Sequence, residues 1–336
     1  MKIICFGTDK DTEAVLLENL PSDIDMTCYE EKLEMDNIDK ARDAEILTVF
    51  VSSEVNKEII DAIPTLKLIA TQSTGFDHID TAYAKEKGIT VCSVPGYGSY
   101  SVAEHTFALM LTVSRKIFDA YHQVREDGDF RIKELQGFDL VGKTLGVVGV
   151  GKIGKNVVRI AKGFGMNVIA SDPYPDEEFA KETGIKYMTF KELLEQSDIV
   201  TFHAPYMKET HHMLNKEMIG YMKKGAYVIN AARGGLIDTS AFVEALQSGY
   251  IAGAGLDVLE EERELKEEAE LTSGDLAINE LKTLIQDHIL IDMPNVVITP
   301  HIGSHSIESD MARFKITAEN IKAFMDGKPQ NVVEIK

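Results

Sequence analysis

The segment Thr144-Leu-Gly-Val-Val-Gly-Val-Gly-Lys-Ile-Gly154 constrains the fold of this chain more than any other. An apolar run broken only by glycine leads into Gly149, Gly151 and Gly154, spaced G-x-G-x-x-G. Downstream, Ile153, Val157, Ile160, Ala161 and Phe164 recur at helical spacing, so the glycines sit on a turn from a buried strand into an amphipathic helix. Such a turn offers the amides of a helix N-terminus to an anion. Gly149 permits the tight turn, Gly151 lets the backbone approach a pyrophosphate, and Gly154 lets the helix close on the strand. A second apolar run at residues 167–170 ends in Ser171-Asp172, 18 residues beyond Gly154, where an acid that binds a ribose is expected. Strand, turn, helix, strand and acid in this order predict a dinucleotide site, which a lone glycine motif would not.

A length of 336 residues suggests about two domains. In the first hundred residues, buried strands are predicted at 3–6, 46–51, 68–70 and 90–94, with helices at 12–20, 57–62 and 81–87. That alternation predicts a small doubly wound parallel sheet. Its first strand is followed by a single glycine, Gly7, so this half is assigned to the substrate. Residues 101–126 carry no glycine or proline and predict one long helix out of the first domain. Strands follow at 199–203, 226–230, 252–258 and 296–299, separated by helices at 190–196, 215–222 and 239–248. A last helix, at 306–325, is expected to return to the first domain. The expectation is therefore an α/β chain of two doubly wound parallel-sheet domains. A Rossmann domain of residues 101–300 is inserted in a smaller, flavodoxin-like substrate domain of residues 1–100 plus 301–336. Between 260 and 294 the pattern lapses into an acidic run, read as a solvated face, and a mixed segment.

A formal net charge of −20 opposes binding to nucleic acid or to an anionic membrane surface. No stretch approaches the roughly 20 apolar residues of a membrane span. Cys5, Cys28 and Cys92 form no C-x-x-C pair and no metal-ligand spacing, and they read as buried thiols of a reducing compartment, the cytoplasm.

In an open α/β sheet, ligands sit beyond the carboxyl ends of the strands. Beyond the second-domain strands come Arg233 in Ala231-Ala-Arg-Gly-Gly235, a carboxylate in Leu259-Glu-Glu-Glu262, and His301 in Pro300-His-Ile-Gly-Ser304. These three suit proton-coupled hydride transfer. Arginine matches a carboxylate with a fork of donors, histidine gains and loses a proton near neutrality, and a carboxylate behind it sets its tautomer. In the first domain, Thr71-Gln-Ser-Thr-Gly75 offers backbone amides to an anion, and Val94-Pro-Gly-Tyr-Gly98 brings Tyr97 to the same sheet edge.

The segments Ser73-Thr-Gly-Phe-Asp-His-Ile-Asp80, Val94-Pro-Gly-Tyr97, Ser101-Val-Ala-Glu-His105, Gly149-Val-Gly-Lys-Ile-Gly154, His203-Ala-Pro205, Asn230-Ala-Ala-Arg-Gly234, Gly255-Leu-Asp-Val258 and Thr299-Pro-His-Ile302 carry a family resemblance. Over nearly its whole length the chain resembles the D-2-hydroxyacid dehydrogenase family, and most of all its D-lactate dehydrogenase branch. The resemblance implies that Arg233 binds the substrate carboxylate and polarises the keto group. It makes His301 the acid/base, and Glu262, five residues after Asp257, the partner of His301. Ser73 and the amides of Thr74 and Gly75 would hold the carboxylate, with Tyr97 lining the pocket. The implied cofactor is NAD, held by Gly149, Gly151, Lys152, Ile153 and Gly154. Asp172 would bind the adenosine ribose and disfavour the 2′-phosphate of NADP. His203, Ala204, Pro205, Ala231 and Ala232 would lie along the cofactor, with Thr106 and Asp257 near its nicotinamide. Gln72 and Tyr100, where relatives often carry arginine and asparagine, are expected to flank the substrate pocket. The implied reaction is reversible reduction of a small 2-keto acid, pyruvate first, to the D-2-hydroxy acid by a homodimer. Alternatives are glyoxylate, hydroxypyruvate, a branched 2-keto acid or phosphite as substrate. Outside enzymes, the alternative is an NAD-sensing, co-repressor-like binding protein.

Overall fold

A parallel sheet buried on both faces needs helices on both sides, and the alternation of side chains along each strand decides which core each residue joins. The computed structural model describes residues 1–260 and 278–333. The chain divides into two units, Met1–Gly98 with His305–Lys336, and Ser99–Ser304.

In the first unit, β1 (Lys2–Phe6), α1 (Lys10–Asn19), β2 (Asp25–Tyr29), β3 (Ile46–Val49), α2 (Lys57–Ala62), β4 (Leu68–Thr71), α3 (Thr81–Glu86) and β5 (Thr90–Cys92) follow one another. The strands form a parallel sheet in the order β2-β1-β3-β4-β5, the flavodoxin-like doubly wound order. Ile4, Phe6, Leu47, Val49, Ile69 and Val91 face one core, shared with Ile59 and Ile60 of α2. Their neighbours in sequence, Ile3, Cys5, Ile46, Leu68, Ala70 and Cys92, face the other. That second face is closed by Leu16 of α1 and by Phe314, Ala318 and Ile321 of the C-terminal helix, Ile307–Met325. The last helix of the chain is thus part of the first unit's core.

The second unit opens with α4 (Ser99–Arg115) and α5 (Ile117–Asp127). It continues through β6 (Thr144–Val148), α6 (Lys152–Gly163), β7 (Asn167–Ser171), α7 (Glu177–Thr183), β8 (Lys186–Tyr187), α8 (Phe190–Gln196) and β9 (Ile199–Phe202). Then come α9 (Lys216–Ile219), β10 (Ala226–Asn230), α10 (Thr239–Gln247), β11 (Ile251–Leu256), α11 (Ile278–Asp292) and β12 (Val296–Ile298). All strands are parallel in the order β12-β11-β10-β9-β6-β7-β8, the Rossmann arrangement extended by one strand. Leu145, Val147, Val168, Ala170, Ile199 and Ile229 share a core with α4 and α6. Val148, Val200, Phe202, Val228, Ala254 and Leu256 share the opposite one with α8 and α10. The order of winding reverses between β6 and β9, so the crevice at that switch point opens beside the glycine turn.

Several elements differ from the sequence reading, among them the short helix α7, which it leaves out. β2 and β8 lie at sheet edges, where half-exposed strands need no apolar run, and neither was visible as one. The helix expected across 101–126 is two, broken at Lys116, whose φ is +50°. The break follows from the Ser114 carbonyl, which accepts from the Phe138 amide at 2.9 Å instead of from a continuing helix. The mixed segment ends in α11, whose Leu290 is buried and whose Gln286 donates to Ser240 at 2.9 Å. The acidic run at 261–270 lies outside the described residues.

Candidate active site

Each glycine of the turn after β6 meets a different physical demand. Gly149 has φ +89°, and a Cβ there would stand 2.7 Å from the Ala204 amide nitrogen, because the loop after β9 passes directly against it. At Gly154 a Cβ would stand 2.1 Å from the Gly149 carbonyl oxygen, so the first turn of α6 can close on β6 only without one. Gly151 is different. Nothing in the protein lies within 4 Å of a Cβ built there, so the space beside it is open to a ligand. Gly151 is also the N-cap of α6, and it supplies no side-chain cap and no acid follows in the first turn. Eight other described helices are capped by an Asp, Asn, Ser or Thr side chain. The α6 amides are therefore presented as an anion site. Lys152 is exposed and Ile153 packs into the core beneath, so their contribution to that site is their backbone.

Asp172, just beyond β7, accepts from the Val150 amide at 2.7 Å and from the Tyr174 amide at 2.8 Å, one on each carboxylate oxygen. Those bonds tie the acid to the glycine turn. On the other side of β6, His203 faces Thr201 Oγ1 through Nε2 at 2.9 Å, while its buried Nδ1 has no protein partner among the described residues. Burial lowers its pKa from 6.5 to about 3, so the ring is neutral at any ordinary pH. Ala204 and Pro205 continue the same loop.

Arg233, Asp257 and His301 leave the ends of β10, β11 and β12, three adjacent strands about 4.8 Å apart. Asn230, buried at the end of β10, shapes the Ala231-Ala232-Arg233 loop by accepting from the Ala232 amide and donating to the Arg233 carbonyl, at 3.0 and 2.9 Å. The Arg233 guanidinium donates to the Ala232 carbonyl at 2.8 Å.

Asp257 is 1% exposed, and its carboxylate is the hub of the site. It accepts from the Thr299 hydroxyl at 2.5 Å, the Gly303 amide at 2.7 Å and the Ile302 amide at 3.0 Å, and His105 Nε2 lies 3.2 Å away. Burial alone raises the pKa of this carboxyl, but the bonds from His105, Thr299, Ile302 and Gly303 together outweigh it and hold the group below the usual range. His105 Nε2 also faces Thr299 Oγ1 at 2.9 Å. Because the Thr299 proton goes to the carboxylate, Nε2 must carry the imidazole proton.

Local sequence explains the meeting of helix and strand. A Cβ at Gly255 would stand 2.9 Å from Leu109 Cβ, so the missing side chain lets α4 approach β11. His105 lies one turn before Leu109, and Asp257 two residues after Gly255. The Asp257 carbonyl accepts from the His301 amide at 2.9 Å. His301 has φ +56°, a conformation that costs a non-glycine residue about 1–3 kcal/mol and persists where its surroundings impose it.

The second unit thus brings the glycine turn, Asp172, the 203–205 loop, Ala231, Ala232, Arg233, Asp257 and His301 to one edge of one sheet. Thr106 lies beside His105, but its hydroxyl is turned back to the Val102 carbonyl at 2.7 Å. Its neighbour His105 makes the polar contact, a role that spacing alone did not reveal. Glu262 lies outside the described residues. In the first unit, the Thr74 hydroxyl donates to the Val94 carbonyl at 2.6 Å and joins the 73–75 loop to the segment before Tyr97. Ser73 closes that loop by donating to the Gly75 carbonyl at 2.6 Å. Gln72 turns into the first unit. It is fully buried, and its amide nitrogen bonds Thr48 Oγ1 and Thr8 Oγ1 at 2.6 and 3.1 Å, so it ties β3 to the end of β1. Tyr100 is 70% exposed and belongs to the second unit.

Residues 107–303 match a family described as D-isomer specific 2-hydroxyacid dehydrogenase, NAD binding domain. The chain is 38% identical over 308 residues to a 2-hydroxyacid dehydrogenase homolog of Zymomonas mobilis, covering 90% of each chain. It is 36% identical over 301 residues to a glyoxylate reductase of Korarchaeum cryptofilum, covering 88% of this chain and 84% of that one. Among solved structures, the D-lactate dehydrogenase of Aquifex aeolicus, complexed with NAD and lactic acid, is similar with a TM-score of 0.87 at 36% identity. That likeness covers 97% of this chain and 96% of the other. NAD fits the open side of Gly151 and the uncapped helix behind it.

Gly151→Ala and Gly154→Ala separate the two kinds of glycine. The first is expected to keep the melting temperature and to weaken NADH binding in a fluorescence titration, because its methyl group enters the ligand's space. The second is expected to lower the melting temperature. Unchanged NADH affinity in Gly151→Ala would contradict the placement of the pyrophosphate.

Proposed function

Because the chain belongs to the D-isomer specific 2-hydroxyacid dehydrogenase family, we propose that it reversibly reduces a small 2-keto acid, pyruvate first, to the D-2-hydroxy acid. NAD is its cofactor and supplies the hydride chemistry when bound. The observation that carries this reading is the delivery of Arg233 and His301 from the ends of β10 and β12, on either side of β11, with the His301 amide bonded to the Asp257 carbonyl and its backbone left-handed.

Asp172, tied to the turn, takes the hydroxyls of the adenosine ribose, and the α6 amides take the pyrophosphate. The 203–205 loop and Ala231 and Ala232, beyond β9 and β10, would hold the rest of the cofactor. Arg233 meets the substrate carboxylate with its fork and polarises the keto oxygen. Protonated His301 gives its proton to that oxygen during reduction, and neutral His301 takes the hydroxyl proton during oxidation. In this reading Glu262 is the carboxylate partner of His301. Thr74 and Gly75 supply amides to the carboxylate, and Tyr97 contacts the substrate's side chain. The Aquifex D-lactate dehydrogenase supports pyruvate, and the Korarchaeum glyoxylate reductase supports glyoxylate as the second choice.

A steady-state panel of pyruvate, glyoxylate, hydroxypyruvate and branched 2-keto acids, run with NADH and with NADPH, tests this reading. Pyruvate with NADH is expected to give the highest kcat/KM. His301→Gln is expected to lower kcat by about 100- to 10,000-fold. Tight NADH binding without turnover of any keto acid would favour a co-repressor-like sensor, and a preference for NADPH would remove Asp172 from the ribose.

The proposed assembly is a homodimer. Among its residues α5 buries none, and Ile117, Phe118, Tyr121 and Val124 are exposed on it, followed by exposed Phe130 and Ile132. A second copy of the chain would cover this apolar surface. Light scattering is expected to give twice the chain mass and Phe118→Arg the single mass; a monomeric wild type would refute the dimer.

A further inference from the structure

The backbone that carries Arg233 rests on groups that the proposed reaction leaves unused. At Gly234 a Cβ would stand 2.1 Å from the Leu259 carbonyl oxygen and 2.4 Å from the Glu260 amide nitrogen. At Gly235 it would stand 2.6 Å from the Tyr206 ring. The two residues after Arg233 are therefore pressed between the segment following β11 and the loop following β9. The Gly235 carbonyl accepts from the His212 amide at 2.8 Å, and His212 itself has φ +49°, a second non-glycine residue held in the left-handed region.

The side chains complete the clamp. His212 Nε2 meets Glu260 Oε1 at 2.5 Å, and the other oxygen of Glu260 accepts from the Thr239 hydroxyl at 2.6 Å. The His212 ring stacks on His211 with centroids 3.8 Å apart. The Glu260 side chain is only 16% exposed. One carboxylate therefore joins the 206–212 loop, the start of α10 and the end of the β11 segment around the Arg233 loop. For stability alone, well-packed apolar side chains would serve as well as a half-buried carboxylate and imidazole. What the polar pair adds is direction, since a short hydrogen bond fixes both groups where an apolar contact lets them slide.

We propose that His212 and Glu260 are positioning residues for the reaction. As a hydrogen-bonded pair they hold the Arg233 loop in the pose from which the guanidinium meets the substrate carboxylate. This rests on the reading of Arg233 given above. A long arginine side chain can place its fork only as well as its backbone is anchored, and misplacement by about 1 Å is enough to cost on the order of 100-fold.

The test is steady-state kinetics with the preferred keto acid on His212→Ala, Glu260→Ala and the double variant, with NADH affinity measured by fluorescence. KM for the keto acid is expected to rise about 10- to 100-fold in each single variant. NADH affinity and the melting temperature should stay close to wild type, kcat should fall by less than KM rises, and the double variant should be no worse than the poorer single one. His212→Gln keeps a donor for Glu260 and should recover most of the KM. Thr239→Val removes one arm and should raise KM less, which provides a reading if the alanine variants fold poorly. An active wild type whose variants keep their KM, or lose it additively, overturns this inference alone. So does a fall in kcat and NADH affinity together with the melting temperature, which would mark a merely structural pair. A wild type that turns over no keto acid overturns the functional reading and this inference with it.

Discussion

A single buried carboxylate organises the edge of the sheet on which the chemistry depends. Asp257 draws the Thr299 hydroxyl, the Ile302 and Gly303 amides and the His105 ring to itself, and its own carbonyl holds the His301 amide. Burial opposes the charge, and the surrounding donors more than offset that opposition, so the anion persists where little water reaches it. With the Leu256 carbonyl, which accepts from the Thr299 amide at 2.9 Å, it ties residues 299–303 down around the left-handed backbone of His301. The carboxylate is thus a fixture that aims another residue. Gly303 shows how tight the fixture is, because a Cβ there would stand 2.8 Å from Asp257 Oδ2.

The glycines of the second unit divide between architecture and ligand. Gly149 and Gly154 bring backbone against backbone, Gly255 brings α4 to β11, and Gly234 brings the Arg233 loop onto the segment after β11. Gly151 alone in the glycine turn faces open space, at the one helix start beside β6 that has neither a side-chain cap nor an acid. The sheet order places the turn at the point where winding reverses, with Asp172 on one side and Arg233, Asp257 and His301 on the other. Cofactor and chemistry are ordered along one edge because parallel strands end on the same side.

Much of this was legible in the sequence, and the remainder was hidden for identifiable reasons. Glycine spacing, buried apolar runs and the residues just beyond them indicated the Rossmann fold, the cofactor class and the strand ends that bear Arg233 and His301, whereas Asp257 entered only through the family resemblance. Edge strands β2 and β8 escaped because half-exposed strands lack an apolar signature. The break at Lys116 escaped because its cause, the Phe138 amide, is distant in sequence. His105 stood in a recognisable segment, but its engagement with Asp257 spans 152 residues of chain, and the meeting of His212 with Glu260 spans 48. Periodicity reports which face a residue occupies and is silent on what it meets there. Gln72 is the clearest case, because its neighbours suggested a pocket and its side chain turned inward.

The central claim is that His301, aimed by Asp257, gives its proton to the keto oxygen. The pH dependence of reductive kcat/KM for pyruvate, measured between about pH 5 and 9 with chemistry rate-limiting, tests it most directly. The expected profile is highest at low pH and falls as the pH rises and the imidazole loses its proton. A flat profile across that range would contradict the claim.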